Sequence, residues 1–259
     1  IYATRLEMGI YGNLPQGYWR WKAYFYDSNK GIPGAIVNNK WKNSQRQKDR
    51  NFFTQGTYQQ TLSKKWDLQA HLKYAYDYMN YVNPDTTLML IDNTFKQQEV
   101  YLSVANKYAV NRWWDIALST DMQYNTLRSD LDGFVYPSRI TTLVAAATAI
   151  DLGKFKMQGS ILATFVRERI HSGHAAQDQK VKAAPDKKEF TPAVFLSFKP
   201  WKQHDFNLRA FYKQIFRMPT FNDLYYTDIG NTALKPEFTH QYNLGMQWGK
   251  TFRKGCISS

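Results

Sequence analysis

Six side chains in the connecting stretches of this chain have the chemistry to hold a bulky polar ligand. Aromatic rings there offer contact area, and amide, carboxylate and phenol groups offer hydrogen bonds, which suits recognition of a large ligand on loops. We predict from their positions that they contact a ligand at loop tips on one side of the molecule. They are Trp41, Tyr81, Asn222, Asp223, Tyr225 and Tyr226.

The sequence has no arrangement typical of an enzyme. It contains no Gly-x-Ser-x-Gly elbow, no paired-carboxylate box and no glycine-rich phosphate loop. Cys256 is the only cysteine, which excludes an internal disulfide and a cysteine-rich metal site. His171 and His174 have no partner ligands nearby in the sequence, so a solvated loop is favoured over a metal site. We therefore expect a binding protein with no catalytic residue, cofactor or bound metal.

The elements that must position these side chains are predicted to be long β-strands. In segment 66–78 the even positions are apolar or aromatic and nearly every odd position is polar, and segments 114–125 and 238–248 repeat the alternation. Successive side chains of a strand point to opposite faces, so each segment predicts a strand with one apolar face. The runs have about 10–13 residues, near the ~9–11 that a tilted strand needs to cross a bilayer.

Short and long connections are predicted to alternate along the chain, which is typical of an antiparallel up-and-down transmembrane β-barrel. The fold class is accordingly all-β, with about twelve strands, the last one barely begun, and no helical region. The short connections lie near 12–17, 62–65, 107–113, 152–154, 199–204 and 249–255. The long ones lie near 28–45, 80–95, 126–138, 169–189 and 218–236.

Composition agrees with this class without deciding it. Aromatic residues make up 16% of the 259 residues, yet the mean hydropathy is −0.58, and no window approaches the ~18 apolar residues of a transmembrane helix. The net charge is +13, but no basic helix, zinc-ligand set or RNA-binding motif accompanies it, so we expect no nucleic-acid partner. Contact with lipopolysaccharide phosphates or an anionic ligand is the favoured interpretation, and simple solubility is the alternative.

Two boxes, at 216–226 and 230–237, are the most specific feature of the sequence. Pro219 is expected to end a strand over 205–217, because proline cannot donate to a ladder, and residues 222–223 can cap or turn through bonds to their own backbone. An ordinary turn-rich loop is the alternative. Together, however, the boxes resemble the "FRxPTxxDLY … GNxxLKPE" motif of TonB-dependent outer-membrane receptors. The matching residues are Phe216, Arg217, Pro219, Thr220, Asn222, Leu224, Tyr225, Gly230, Asn231, Leu234, Pro236 and Glu237.

Three further runs, at 31–36, 101–105 and 209–213, resemble Bacteroidetes-type members of that family. The resemblance implies a barrel of twenty-two strands around an N-terminal plug. It places 1–259 in the middle to late part of the barrel, with the plug, signal peptide and C-terminal strands absent. Four charged side chains would then face the plug, or alternatively line a wet interior. They are Lys73, Asp77, Arg209 and Lys213.

The resemblance also implies location in the outer membrane and partnership with the TonB complex through the absent plug, with outer-membrane lipid and lipopolysaccharide around the barrel. The expected ligand is a small-molecule chelate. Haem-uptake members are expected to carry a histidine between the boxes, and this chain has none there; His240 follows the second box on the outward parity. A ferric siderophore or cobalamin is therefore favoured. The alternatives are a passive porin or solute channel and, in third place, a soluble all-β glycan-binding module.

Overall fold

The computed structural model describes residues 2–33, 36–37, 40–41, 44–84, 90–171, 182–201, 205–225, 230–252 and 255–258. Its elements in chain order are β1 (Tyr2–Leu14), β2 (Gly17–Pro33), β3 (Ile36–Val37), β4 (Lys40–Trp41), β5 (Ser44–Ser63), β6 (Trp66–Asn83), β7 (Ile91–Asn111), β8 (Trp114–Ser129), β9 (Tyr136–Asp151), β10 (Phe155–His171), β11 (Lys187–Phe198), β12 (Asp205–Arg217), α1 (Phe221–Tyr225), β13 (Glu237–Phe252) and β14 (Gly255–Ser258).

Twelve of the strands form a single antiparallel sheet in which each strand pairs with the next long strand along the chain. The order is β1-β2-β5-β6-β7-β8-β9-β10-β11-β12-β13-β14, and β3 and β4 pair only with each other. Among the described residues β1 and β14 stand at the two ends of this order, so the sheet is open. The prediction of about twelve up-and-down strands is confirmed.

The strands are longer than predicted. β5 has 20 residues and β7 has 21, and the connection expected over 28–45 is shorter than predicted, because β2 runs to Pro33 and β5 begins at Ser44. The apolar–polar alternation fades there, but the backbone ladder between β2 and β5 continues, and charged side chains form ion pairs across it. Arg50 Nε lies 2.6 Å from Asp27 Oδ1, and Lys30 Nζ lies 2.7 Å from Asp49 Oδ2.

The connections otherwise follow the predicted alternation. β5 and β6 are joined by two residues, and β9 and β10 by 152–154, where Gly153 has a φ of 78° that favours glycine. The long connection predicted over 218–236 has the bounds observed between β12 and β13. It contains the five-residue helix α1, a short turn within an otherwise all-β chain. Within the described ranges no helix is long and apolar enough to cross a membrane.

One face of the sheet is apolar and exposed, and the other is polar and partly covered. Along β8 the even positions from Trp114 to Tyr124 are exposed and the odd ones are half-buried. Leu118 is 54% exposed, and Leu244 on β13 is 82% exposed. We call the side of Leu118 the apolar face and the opposite side the polar face. An apolar row this open to its surroundings is stable only against hydrocarbon or another apolar partner.

The polar face is held by side-chain bonds between neighbouring strands. Glu99 on β7 accepts hydrogen bonds from Lys73 at 2.9 Å, from Gln123 at 2.8 Å and from Asn125 at 3.1 Å. These bonds link three strands through one carboxylate. A polar face of this kind is typical of a barrel interior.

Candidate ligand site at the loop end of the polar face

Three connecting segments fold back onto the polar face at the end that carries the long connections. They are 130–135, the described part of the β10–β11 connection, and α1. Their apolar side chains bury each other against Leu127 of β8, and we call this group the loop cluster. It consists of Leu127, Phe134, Val135, Ala184, Phe221, Leu224 and Tyr225, with Phe95, Leu131, Tyr136 and Ile170 packed around it.

The two boxes meet at the base of this region. Phe216 pairs with Phe238 and Arg217 pairs with Glu237 at the last step of the β12–β13 ladder. The guanidinium of Arg217 lies 3.5 Å from the Glu237 carboxylate. The boxes are therefore the two ends of one connection, which leaves the ladder after Arg217 and returns to it at Glu237.

Between the boxes, Thr220 starts α1 with a reciprocal cap. The backbone N–H of Asp223 donates to Thr220 Oγ1 at 3.3 Å, and the N–H of Thr220 donates back to Asp223 Oδ2 at 2.8 Å. This is the geometry of a capping box, with an aspartate in the third position. The Thr220 hydroxyl and N–H together lower the pKa of Asp223. The first turn then buries Leu224, which is 1% exposed.

A buried ion pair on the polar face receives this helix. Arg139 on β9 donates from Nε to Glu168 Oε1 on β10 at 2.6 Å. The side chain of Glu168 is 0% exposed and that of Arg139 is 13% exposed. Arg139 also donates to the backbone oxygen of Pro219 at 2.8 Å, and its Cζ lies 4.9 Å from the ring centroid of Phe221. The pair therefore anchors the start of the connection to the sheet.

Tyr225 completes the anchor from the other end of α1. Its hydroxyl donates to Glu168 Oε2 at 2.5 Å and accepts from the N–H of Ala184 at 3.1 Å. Burial, followed by the Glu168 carboxylate, raises the pKa of the Tyr225 phenol. The expectation that Tyr225 projects from a loop tip is wrong: the residue is 5% exposed, because its hydroxyl satisfies the free oxygen of a buried carboxylate.

A cavity of about 480 Å³ lies beside the loop cluster, over strands β5 to β8. Tyr81 and Asn222, two of the six predicted ligand contacts, both line it, as does Asp77. The Tyr81 hydroxyl donates to Gln45 at 2.6 Å, and Asp77 accepts from Asn51 at 2.5 Å. The remaining lining is Asp49, Asn51, Tyr78, Met79, Ile91, Asn93, Phe95, Gln97, Leu127 and Leu131. The site thus combines acceptors, amides and an apolar wall.

Asp223 and Tyr225 do not line this cavity. Asp223 is exposed, and its carboxylate is engaged by Thr220. Only the backbone of Trp41 is described, and Tyr226 lies outside the described residues. A ligand role for these side chains stays a prediction.

The four charged residues expected in the interior all lie on the polar face. Lys73 is paired with Glu99 and Asp77 with Asn51. Arg209 and Lys213 occupy the same parity of β12, where they pair in register with Ser197 and Ala193. Contact between these groups and a plug stays a prediction. His240, as expected, lies on the apolar face, where its Nδ1 is 3.1 Å from the Tyr212 hydroxyl.

Sequence reasoning missed Arg139 and Glu168, the residues that fix the site. Neither belongs to a motif, and they are 29 positions apart. The one available signal was a pair of opposite charges at interior parity on adjacent predicted strands. Within the described ranges no group of three or more histidine, cysteine, aspartate or glutamate side chains is placed to hold a metal ion.

Comparison with known proteins identifies a family and a fold. The family model described as "TonB dependent receptor-like, beta-barrel" matches residues 2–254. No curated protein sequence matches the chain.

Solved structures share the fold at low sequence identity. The hemophore receptor HasR of Serratia marcescens, solved with its hemophore HasA and heme, is 11% identical at a TM-score of 0.71, over 99% of this chain and 44% of that one. BauA, the ferric preacinetobactin receptor of Acinetobacter baumannii, is 12% identical at a TM-score of 0.63, over 95% of this chain and 44% of that one. FyuA, the ferric yersiniabactin uptake receptor of Yersinia pestis, is 11% identical at a TM-score of 0.58, over 95% of this chain and 42% of that one. The chain thus spans less than half the length of these proteins.

Proposed function

Because the chain belongs to the TonB-dependent receptor β-barrel family, a family of outer-membrane transport receptors, we propose that the complete protein takes up a scarce nutrient by TonB-dependent active transport. The family match over nearly the whole chain is the observation that carries this proposal. In it, the apolar face contacts membrane lipid, and the polar face lines the interior. The TonB complex acts through a plug, with Lys73, Asp77, Arg209 and Lys213 as the barrel's contacts to it.

The nutrient is a metal–organic chelate, a ferric siderophore, or cobalamin. Two proteins of similar fold are named as receptors for ferric preacinetobactin and ferric yersiniabactin. The cavity beside the loop cluster supports this class, because its amide and phenol groups can hydrogen bond a large polar ligand while Phe95 and Leu131 provide apolar contact. Asn222 and Tyr81 contact the ligand from opposite sides of that cavity in this proposal.

Haem is disfavoured although HasR was solved with it. The histidine that haem-uptake members are expected to carry between the boxes is missing from 219–230. His240 lies on the apolar face beside Tyr212. A histidine ligand from this part of the chain would therefore face away from the interior.

The anchored connection explains how the site is kept in place. Arg139 holds Pro219, and Glu168 holds Tyr225, so both ends of α1 are fixed to the sheet. Asn222 lies between these two points. A binding group on a loop that is fixed at both ends loses less conformational freedom when a ligand binds.

The test is a binding screen on the complete protein in detergent with cobalamin, haem and several ferric siderophores, using intrinsic fluorescence and calorimetry. We expect a chelate or cobalamin to bind, and Asn222→Ala to weaken its binding about fivefold, the loss of one neutral hydrogen bond. The matched control is Asn243→Ala, an exposed amide on the polar face of β13. Binding of a glycan alone would overturn the chelate assignment, and equal effects of the two substitutions would exclude the cavity.

A passive porin or channel and a soluble glycan-binding module were the alternatives, and no feature of the described residues favours either. Uptake of the identified ligand in cells with and without TonB separates the first from the proposal. If uptake is the same without TonB, the protein is a passive channel and the proposal of active transport is wrong.

A further inference from the structure

A row of cations crosses the apolar face at the end of the long connections. In the register of neighbouring strands, Arg50 on β5 is opposite Tyr78 on β6, Tyr78 is opposite Lys96 on β7, and Lys96 is opposite Arg128 on β8. Arg50, Lys96 and Arg128 are exposed. We call these three residues the basic row.

The basic row lies just beyond the apolar part of the strands. On β8 the exposed face is apolar or aromatic at most positions from Trp114 to Tyr124. Ten residues at ~3.3 Å each, tilted by ~45°, rise roughly 23 Å, close to the ~25 Å apolar band of an outer-membrane barrel. Arg128 is four residues further along, which places it roughly 9 Å beyond the aromatic edge by the same geometry. That is the depth of lipid headgroups.

Two of the three charges of the row are not balanced by an ion pair among the described residues. Arg50 pairs with Asp27 at 2.6 Å, but within the described part of the chain neither Lys96 nor Arg128 forms an ion pair. Lys96 and Arg128 are direct cross-strand partners, and like charges placed directly opposite destabilise a sheet. An anion between them would turn this repulsion into two charge-assisted bonds.

We propose that the basic row binds the phosphate groups of an anionic glycolipid in the outer leaflet. A phosphate can accept from both Lys96 and Arg128, and the Tyr78 hydroxyl adds a neutral donor at the same level. The acyl chains of that lipid would lie along the exposed apolar positions below, Tyr124 and Met122 among them. The inference depends on the membrane location of the sheet and is independent of which nutrient is transported.

The experiment measures binding of lipid A carrying both phosphates to the complete protein in nonionic detergent, by native mass spectrometry and thermophoresis. The same lipid with its phosphates removed is the second arm, and inorganic phosphate is the third. The variant is Lys96→Gln with Arg128→Gln. Its matched control, Lys154→Gln with Lys199→Gln, removes the same charge from exposed lysines near the short turns at the other end of the sheet.

We expect the row variant to bind phosphorylated lipid A roughly 30-fold more weakly than wild type, the factor for two surface cations. The control should bind like wild type, and dephosphorylated lipid should bind wild type as weakly as the variant. If both variants lost the same affinity for phosphorylated lipid A, the effect would come from net charge alone, and the proposed site would be overturned. If millimolar inorganic phosphate displaced the lipid as effectively as unlabelled lipid does, the row would be a site for free phosphate, and the lipid assignment would be overturned.

The variant Lys96→Glu is a control that separates a loss of lipid binding from a folding defect. Its carboxylate can pair with Arg128 across the strands, so the thermal unfolding midpoint without lipid should equal or exceed that of wild type. Preference for phosphorylated lipid should be lost in the same protein. A variant that folds normally and retains this preference would contradict the proposal.

Discussion

The two faces of β8 to β10 are stabilised in different ways. On the apolar face Leu118 and Met122 are more than half exposed, so their stabilisation must come from the surroundings of the sheet. On the polar face Glu168 has no exposed side-chain surface and is satisfied by Arg139 and Tyr225. The difference teaches that alternation alone specifies the first face, whereas the second depends on partners that are distant in sequence.

The largest expected effect comes from the buried pair. Glu168→Ala leaves the Arg139 guanidinium without its carboxylate, and we expect the free energy of unfolding to fall by about 3–5 kcal/mol. Unfolding of the complete protein by guanidinium chloride in detergent measures this free energy. The matched control is Glu237→Ala, which breaks the exposed pair with Arg217 and should cost about 0–1 kcal/mol. Similar losses at both sites would show that the polar face is no more tightly organised than the rim.

A charge on the apolar face should cost nearly as much. Leu118→Arg places a guanidinium near the middle of the apolar band, and we expect a loss of about 2–4 kcal/mol in vesicles. Ser119→Arg, one residue away on the polar face, introduces the same group where it can be solvated. The two variants are compared by folding into phospholipid vesicles. A penalty at Ser119 as large as at Leu118 would remove the distinction between the faces.

Removing one hydroxyl tests the anchor of α1 more gently. Tyr225→Phe leaves one Glu168 oxygen and the Ala184 N–H without their partner, which should cost about 1–3 kcal/mol of local stability. Hydrogen exchange of the Ala184 and Leu224 amides reports it. Tyr212→Phe removes a hydroxyl from the apolar face and should leave those amides unchanged. Unaltered exchange in the first variant would mean that Tyr225 does not hold the loop.

The smallest effect is expected in the pH dependence of the α1 cap. Because Thr220 lowers the pKa of Asp223 below its usual value of 3.8, the folded state favours the carboxylate. This stabilisation is complete above the usual pKa and is lost as pH falls through the lowered value. Exchange of the α1 amides, corrected for its intrinsic pH dependence, should be level from pH 7 to about 5 and rise below about 4. Asp223→Asn should abolish the rise in exchange below about pH 4. If the rise persists in this variant, another titrating group causes it.

The sequence predicted the sheet well because its signal is local. Period-two alternation in 66–78 and 114–125 reports on which side each residue lies, and Pro219 marks the end of β12. The strand ends at 28–33 and 80–83 were missed because polar residues outside the apolar band still pair in the ladder, where alternation carries no information. The strands therefore extend further than hydropathy indicates.

The site was only partly predictable for a related reason. Predicted position on a loop suggested Tyr81 and Asn222, which line one cavity although Tyr81 lies on β6, but position could not separate them from Tyr225, which is buried. That distinction depends on Glu168, 57 residues away. The capping role of Asp223 was readable from Thr220 three residues earlier, since it needs no distant partner.

The most direct test of the two-faced sheet is a nitroxide scan along residues 116–123 of β8 in the complete protein in lipid vesicles. Collisions with molecular oxygen, which concentrates in hydrocarbon, should peak at the even positions. Collisions with a polar nickel complex should peak at the odd positions, so that the two profiles are out of phase with a period of two. Profiles in phase, or even positions shielded from both reagents, would contradict a sheet with lipid on one side and a polar interior on the other.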